Sequence, residues 1–113
     1  SGSRIQKAKQ TKIAIEQAKV NQTATEQRLI AMAEQSRSQA RTAMDNLLTE
    51  EKSMELSKKI MDRTTIKFNT GSASSFEYTQ EQGNYLMAQQ MYIQRMVELL
   101  MARADLRKSL DLY

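Results

Sequence analysis

From Arg4 to Lys67 the chain contains neither glycine nor proline, and proline is absent from all 113 residues. A backbone with neither breaker has no local reason to leave the α-helix. The stretch is rich in Ala, Gln, Lys, Arg, Met and Leu, all good helix formers. At ~1.5 Å per residue it predicts a rod of roughly 100 Å, which no compact domain of this size needs. Ser3 with Gln6 reads as a capping box that opens this helix, and Ile5 and Ala8 begin its apolar pattern. Aromatic residues are only 5% of the chain, poor material for a globular core. Elongated helices that bury narrow seams and leave much surface wet are therefore expected.

The first interruption comes at "KFNTGSASSFEYTQEQ", Lys67 to Gln82. Gly71 can take the left-handed conformation that ends a helix, which only glycine adopts without steric cost. Ser74 and Glu77 form a second capping box, from which a helix can run to Tyr113. The charges agree with this placement. Lys58, Lys59, Arg63 and Lys67 crowd the negative end of the first helix, and Glu77 and Glu81 open the second at its positive end. The fold expected is all-α: a long antiparallel coiled-coil-like hairpin forming a single unit over 1–113. Its helices are placed at about 3–68 and 75–113, with the tip at 69–74.

Both arms carry a seven-residue pattern. On the first, Ala33, Ala40, Leu47, Met54, Met61 and Phe68 recur. Their companions are small or polar: Ser36, Ala43, Glu50, Ser57 and Thr64. A two-stranded zipper wants large residues at both positions, so this mixture predicts shallow, close packing against more than one neighbour. On the second arm the repeat is Tyr78, Tyr85, Tyr92, Leu99, Leu106 and Tyr113. A further stripe, Leu86, Ile93, Val97, Leu100 and Ala104, lies beside it, so this helix can be gripped from two sides. Gly83 costs the helix about 1 kcal/mol relative to alanine, and it predicts a close helix contact. The arms are unequal. The surplus of the first must either pack on something beyond the hairpin or fray, which points to a piece of a larger assembly, and the opening "SGSR" reads as an excised fragment or a cloning scar.

Chemistry is sparse. The chain has no cysteine, histidine or tryptophan, so metal sites built on Cys or His, thiol nucleophiles, disulfides and histidine triads are excluded. Glu50 with Glu51, and Glu77 with Glu81, sit in exposed helical contexts with no phosphate loop beside them. No enzyme activity, metal or cofactor is expected. Arg4, Lys7, Lys9, Lys12 and Lys19 face only Glu16 near the start, but the first twenty residues hold no aromatic. That reads as a solvated face, with no nucleic-acid partner expected. No apolar run approaches the ~20 residues that cross a bilayer, and Arg4 to Val20 is too polar for a signal peptide. The eight methionines are normal filler for shallow seams.

The tip carries a resemblance. "FNTGSASSFEYTQEQGNYLMAQ" resembles the hairpin-tip motif of the TolC family of outer-membrane efflux channels. That pattern is an aromatic, two residues, Gly, two residues, Ser or Thr, two residues, an acidic residue, then a helix with Leu and Ala. Phe68, Gly71, Ser74, Glu77 and Ala88 fit in register, with Tyr85 in the leucine place. "SGSRIQKAKQ" is similar to the segment that leaves the last barrel strand of the family's second repeat. The resemblance implies one stretch of a homotrimeric channel, whose helical hairpins form a periplasmic tunnel beneath an outer-membrane β-barrel. It places this chain in the periplasm of a Gram-negative bacterium, with membrane contact only through a barrel that the chain lacks. The implied partner is the hairpin tip of a periplasmic adaptor, which would meet Thr70, Gly71, Ser72, Ala73 and Ser74. Phe68, Glu77 and Gln80 fall on aperture positions. Glu77 matches an aspartate that makes the aperture cation-selective, whereas Gln80 replaces a second aspartate. Phe68 stands for a tyrosine and Ala73 for an arginine of the closed-state latch, so a latch here would be built differently. The rival reading is a self-standing coiled-coil scaffold or partner-binding hairpin without a transport role.

Overall fold

The computed structural model describes residues 2–112. Helix α1 spans Gly2–Asn69 and helix α2 spans Ser75–Leu112, with five residues between them. They form an antiparallel hairpin of 104 × 18 × 13 Å. α1 exceeds its expected bounds by one residue at each end, and Tyr113 lies outside the described residues. Because α1 already includes Gly2, Ser3 has helical backbone and cannot be the N-cap, which requires a non-helical conformation. The expected Ser3–Gln6 capping box is thus corrected.

Three contacts across the hairpin set its register. The hydroxyls of Ser36 and Ser109 are 2.8 Å apart. Arg95 Nε lies 3.9 Å from Glu50 Oε1. The Phe68 and Tyr78 rings stack with centroids 4.6 Å apart. The first two contacts are two heptads apart on each helix, so one register holds between them. It places Leu47 level with Leu99, Met54 with Tyr92, and Met61 with Tyr85. Alternating with these are thin layers, Ala43 level with Ala102 and Ser57 with Ala88. Small layers let the helices approach closely, and the large residues between them fill the seam.

The α1 seam expected from sequence is sheltered along its length. Ala33, Ser36, Ala43 and Thr64 are buried, and Ala40, Leu47, Glu50, Met54, Ser57 and Met61 are half-buried. Only Phe68, at the tip end, is more exposed. On α2, Leu99 is buried, and Tyr78, Tyr85, Tyr92 and Leu106 are half-buried. Buried hydroxyls find partners, since Thr64 Oγ1 donates to the Ile60 carbonyl and the two seam serines bond each other. Arg95 is the exception. Its Nη1 donates to Glu98 at 3.0 Å, but its buried Nε has no acceptor within hydrogen-bond distance. With 29% of the side chain exposed, this partly solvated pair contributes at most about 1 kcal/mol. The reach of its aliphatic stem across the seam matters more for packing.

The second α2 stripe does not lie at the seam. Leu86, Ile93, Val97 and Leu100 point away from α1 and are exposed. Gly83 shares that outward face, with no atom within 4 Å of where a Cβ would sit. α1 therefore makes no close contact at Gly83. The outward faces of the two helices differ in kind. That of α1 carries Arg41, Asp45, Lys52, Glu55, Lys59 and Asp62, whereas the central strip of that of α2, from Phe76 through Gly83, Gln90 and Val97 to Ala104, is uncharged, with Glu77 and Arg103 exposed at its edges. Beyond the reach of α2, every residue from Gly2 to Arg28 is exposed, an overhang of roughly 40 Å. Among the described residues, no helix is long and apolar enough to cross a membrane.

Candidate functional site: the hairpin tip

The tip is built by two helix ends that each satisfy their own backbone. At the end of α1, Ser72 N–H donates to the Lys67 carbonyl at 2.7 Å, and Gly71 N–H donates to that of Phe68 at 3.1 Å. This nested pair is the Schellman arrangement, and it needs a left-handed residue between the two bonds. Gly71 supplies it with φ of 82°. Ala73 N–H and the Thr70 hydroxyl also donate to the Lys67 carbonyl, each at 3.1 Å. One carbonyl thereby gathers three donors and holds the turn compact.

At the start of α2, Glu77 N–H donates to Ser74 Oγ at 3.1 Å, and Tyr78 N–H donates to the Ser74 carbonyl at 3.0 Å. Ser74 is therefore the N-cap. Only this half of the expected capping box forms, and the Glu77 carboxylate stays exposed in the first turn, where the helix dipole favours it. Ser74→Ala should destabilise the hairpin by about 1 kcal/mol. Amide exchange would show the loss as faster exchange at Glu77, with seam amides near Leu99 much less affected.

The sequence-expected site residues fall into two groups. Thr70, Gly71, Ser72 and Ser74 form an exposed apex, and Ala73 is half-buried beneath it. Thr70 Oγ1 and Ser72 Oγ lie 3.5 Å apart on that apex. Gly71 faces open space, since nothing lies within 4 Å of the position a side-chain methyl would take. Glu77 and Gln80 are one turn apart on exposed α2 surface. Phe68 stands apart from them because its ring is stacked on Tyr78 and closes the end of the seam. One exposed residue escaped the sequence reading. Phe76, two positions after the cap, is 75% exposed, and its signal was an aromatic out of phase with the tyrosine repeat.

The surface is one of shape and hydrogen bonding. Among the described residues, no group of His, Cys, Asp or Glu side chains is placed to hold a metal ion. What the apex offers is small side chains, hydroxyls and a bare glycine backbone, which suit close approach by another backbone. A scan against models of known protein families finds no match, and comparisons with curated proteins and with solved structures find none either.

Proposed function

We propose that this hairpin is the tunnel-and-tip segment of a trimeric outer-membrane efflux channel of the TolC type. In this reading its apex docks the hairpin tip of a periplasmic adaptor, and its helices help to line the exported substrate's path. The observation that carries the reading is the tip itself. Phe68, Gly71, Ser74 and Glu77 stand at the family's spacing, and each has a distinct physical task in one turn. Gly71, unshielded at the apex, gives a partner hairpin access to the backbone.

One further feature supports it. An uncharged apolar strip along the outer face of α2 suits a helix set between neighbours in a barrel, and suits a lone hairpin poorly. In this reading Glu77 contributes a ring of three carboxylates at the aperture, one from each protomer. Glu77→Gln in the full-length channel should lower its preference for cations in single-channel conductance, because the ring loses its charge. An unchanged ion preference would remove Glu77 from the aperture.

A further inference from the structure

We propose that Tyr78 is a positioning residue for the apex: its ring, stacked on Phe68, clasps the two arms and holds the turn between them in one shape. Its bearing on docking rests on the channel reading, whereas the clasp itself does not.

The clasp sits where the backbone leaves the arms untied. On the α1 side, the Lys67 and Phe68 carbonyls accept from the N–H groups of Gly71, Ser72 and Ala73. On the α2 side, Ser74 accepts from Glu77 on its hydroxyl and from Tyr78 on its carbonyl. These bonds finish one helix and start the other, but none of them joins α1 to α2. The tie between the arms falls to side chains. Phe68 supplies a carbonyl to one group of bonds and Tyr78 supplies an N–H to the other, and their rings meet with planes 15° apart. The same two residues that border the turn through their backbones thus close it through their rings.

The seam just behind the clasp offers little help. Continued from Met61 and Tyr85, the register sets Thr64 level with Glu81. Thr64 donates its hydroxyl to the Ile60 carbonyl, and Glu81 accepts a hydrogen bond from Asn84 of its own helix at 3.3 Å. Neither bond reaches the opposite arm. The next large pair, Met61 with Tyr85, lies one heptad further back, about 10 Å along the helices. From that pair to the apex, the seam positions hold no large apolar side chain besides Phe68 and Tyr78.

Opening the stack therefore frees a whole heptad of each arm to part. Ala73 feels this first. It is half-buried beneath the apex, its N–H is bonded to the Lys67 carbonyl at 3.1 Å, and the next residue is the cap of α2. Parting the arms draws that N–H off its carbonyl. An aromatic stack shifts the ratio of closed to splayed tips by about tenfold. A docking surface already held in its bound shape binds more tightly, because no ordering is needed at the encounter. The stack uses the face of the Tyr78 ring and not its hydroxyl, so phenylalanine should serve as well.

The test begins with the 113-residue chain and ends in the full-length channel. In the chain, Tyr78→Ala should speed amide exchange at Ala73 about tenfold and leave Leu99 unchanged, while Tyr78→Phe matches the parent. Phe68→Ala should do the same, and the double variant should be no faster than the faster single, because one contact is lost only once. In the channel, Tyr78→Ala should lower export at least about fivefold at normal abundance in the outer membrane, with Tyr78→Phe exporting as the parent does. Unchanged exchange at Ala73, equal acceleration at Leu99, or additive effects of the two singles would overturn the clasp. Fast exchange at Ala73 with normal export, where Gly71→Trp loses export, would overturn the positioning role and leave docking standing. Failure of the channel reading shows differently, as normal export by Gly71→Trp, and leaves the exchange measurements to decide the clasp.

Discussion

Under the proposed docking role, Gly71→Trp in the full-length channel is expected to abolish export while the channel still folds, assembles and inserts. The structure separates the two ways in which the substitution could act. At φ of 82° any L residue other than glycine is strained, at a cost of roughly 1–2 kcal/mol. A Cβ at Gly71 meets no neighbouring atom within 4 Å and the apex is exposed, so the side chain leaves the backbone into open space. The strain is borne at the apex, while the seam that holds the arms together lies further along the helices. On the docking proposal, the large effect then comes from bulk placed where an adaptor would approach. Two companion variants divide strain from bulk. Gly71→Asn tolerates the left-handed conformation and is small, so it should retain most export. Gly71→Ala carries the strain without the bulk and should be intermediate. Normal export by Gly71→Trp, at normal channel abundance in the outer membrane, would end the docking proposal. Equal loss in Gly71→Ala and Gly71→Trp would assign the effect to strain.

The tip and the α1 seam were legible in the sequence because the physics that makes them is local. A Schellman end needs a glycine at one position, an N-cap needs a hydroxyl three residues before its target amide, and both are visible in "NTGSASSFE". The seam was legible because seven-residue spacing keeps Ala33 through Met61 on one side of any helix. α2 was less transparent. Its tyrosine–leucine line was readable, but the residues that complete its seam, Glu81, Ala88, Arg95, Ala102 and Ser109, do not look like a buried line. Hydrophobicity favours the other stripe, and only the fit of small layers against Ser57, Ala43 and Ser36 accounts for the face that was chosen. Ser3 misled for a simpler reason, since a capping motif works only where the preceding residue is not helical. The proposed aperture positions rest on resemblance alone. Nothing in the exposure of Glu77 or Gln80 distinguishes a gate from an ordinary wet helix turn.

That choice of face on α2 yields the sharpest stability contrast in the molecule, between adjacent leucines. Leu99 is 6% exposed and is the one large hydrophobic buried among the described residues, whereas Leu100 is 60% exposed. Leu99→Ala removes its side chain from the seam layer level with Leu47 and should cost about 2–3 kcal/mol. The lower part of the usual range applies because a two-helix groove admits water and can partly close over the gap. Leu100→Ala should change stability by less than about 0.5 kcal/mol, provided the hairpin is measured as a monomer. Urea unfolding followed by circular dichroism in dilute solution separates them. Leu99→Ala lowers the midpoint and Leu100→Ala leaves it in place. Equal effects would mean that α2 presents its second stripe to α1, and the seam through Leu99 would be wrong. Any assembly that covers the outer face must reverse the apparent neutrality of Leu100, because burial there restores the transfer energy that exposure withholds. A variant that is silent in the lone hairpin and costly once α2 is covered would be the thermodynamic signature of a helix built to be held from both sides.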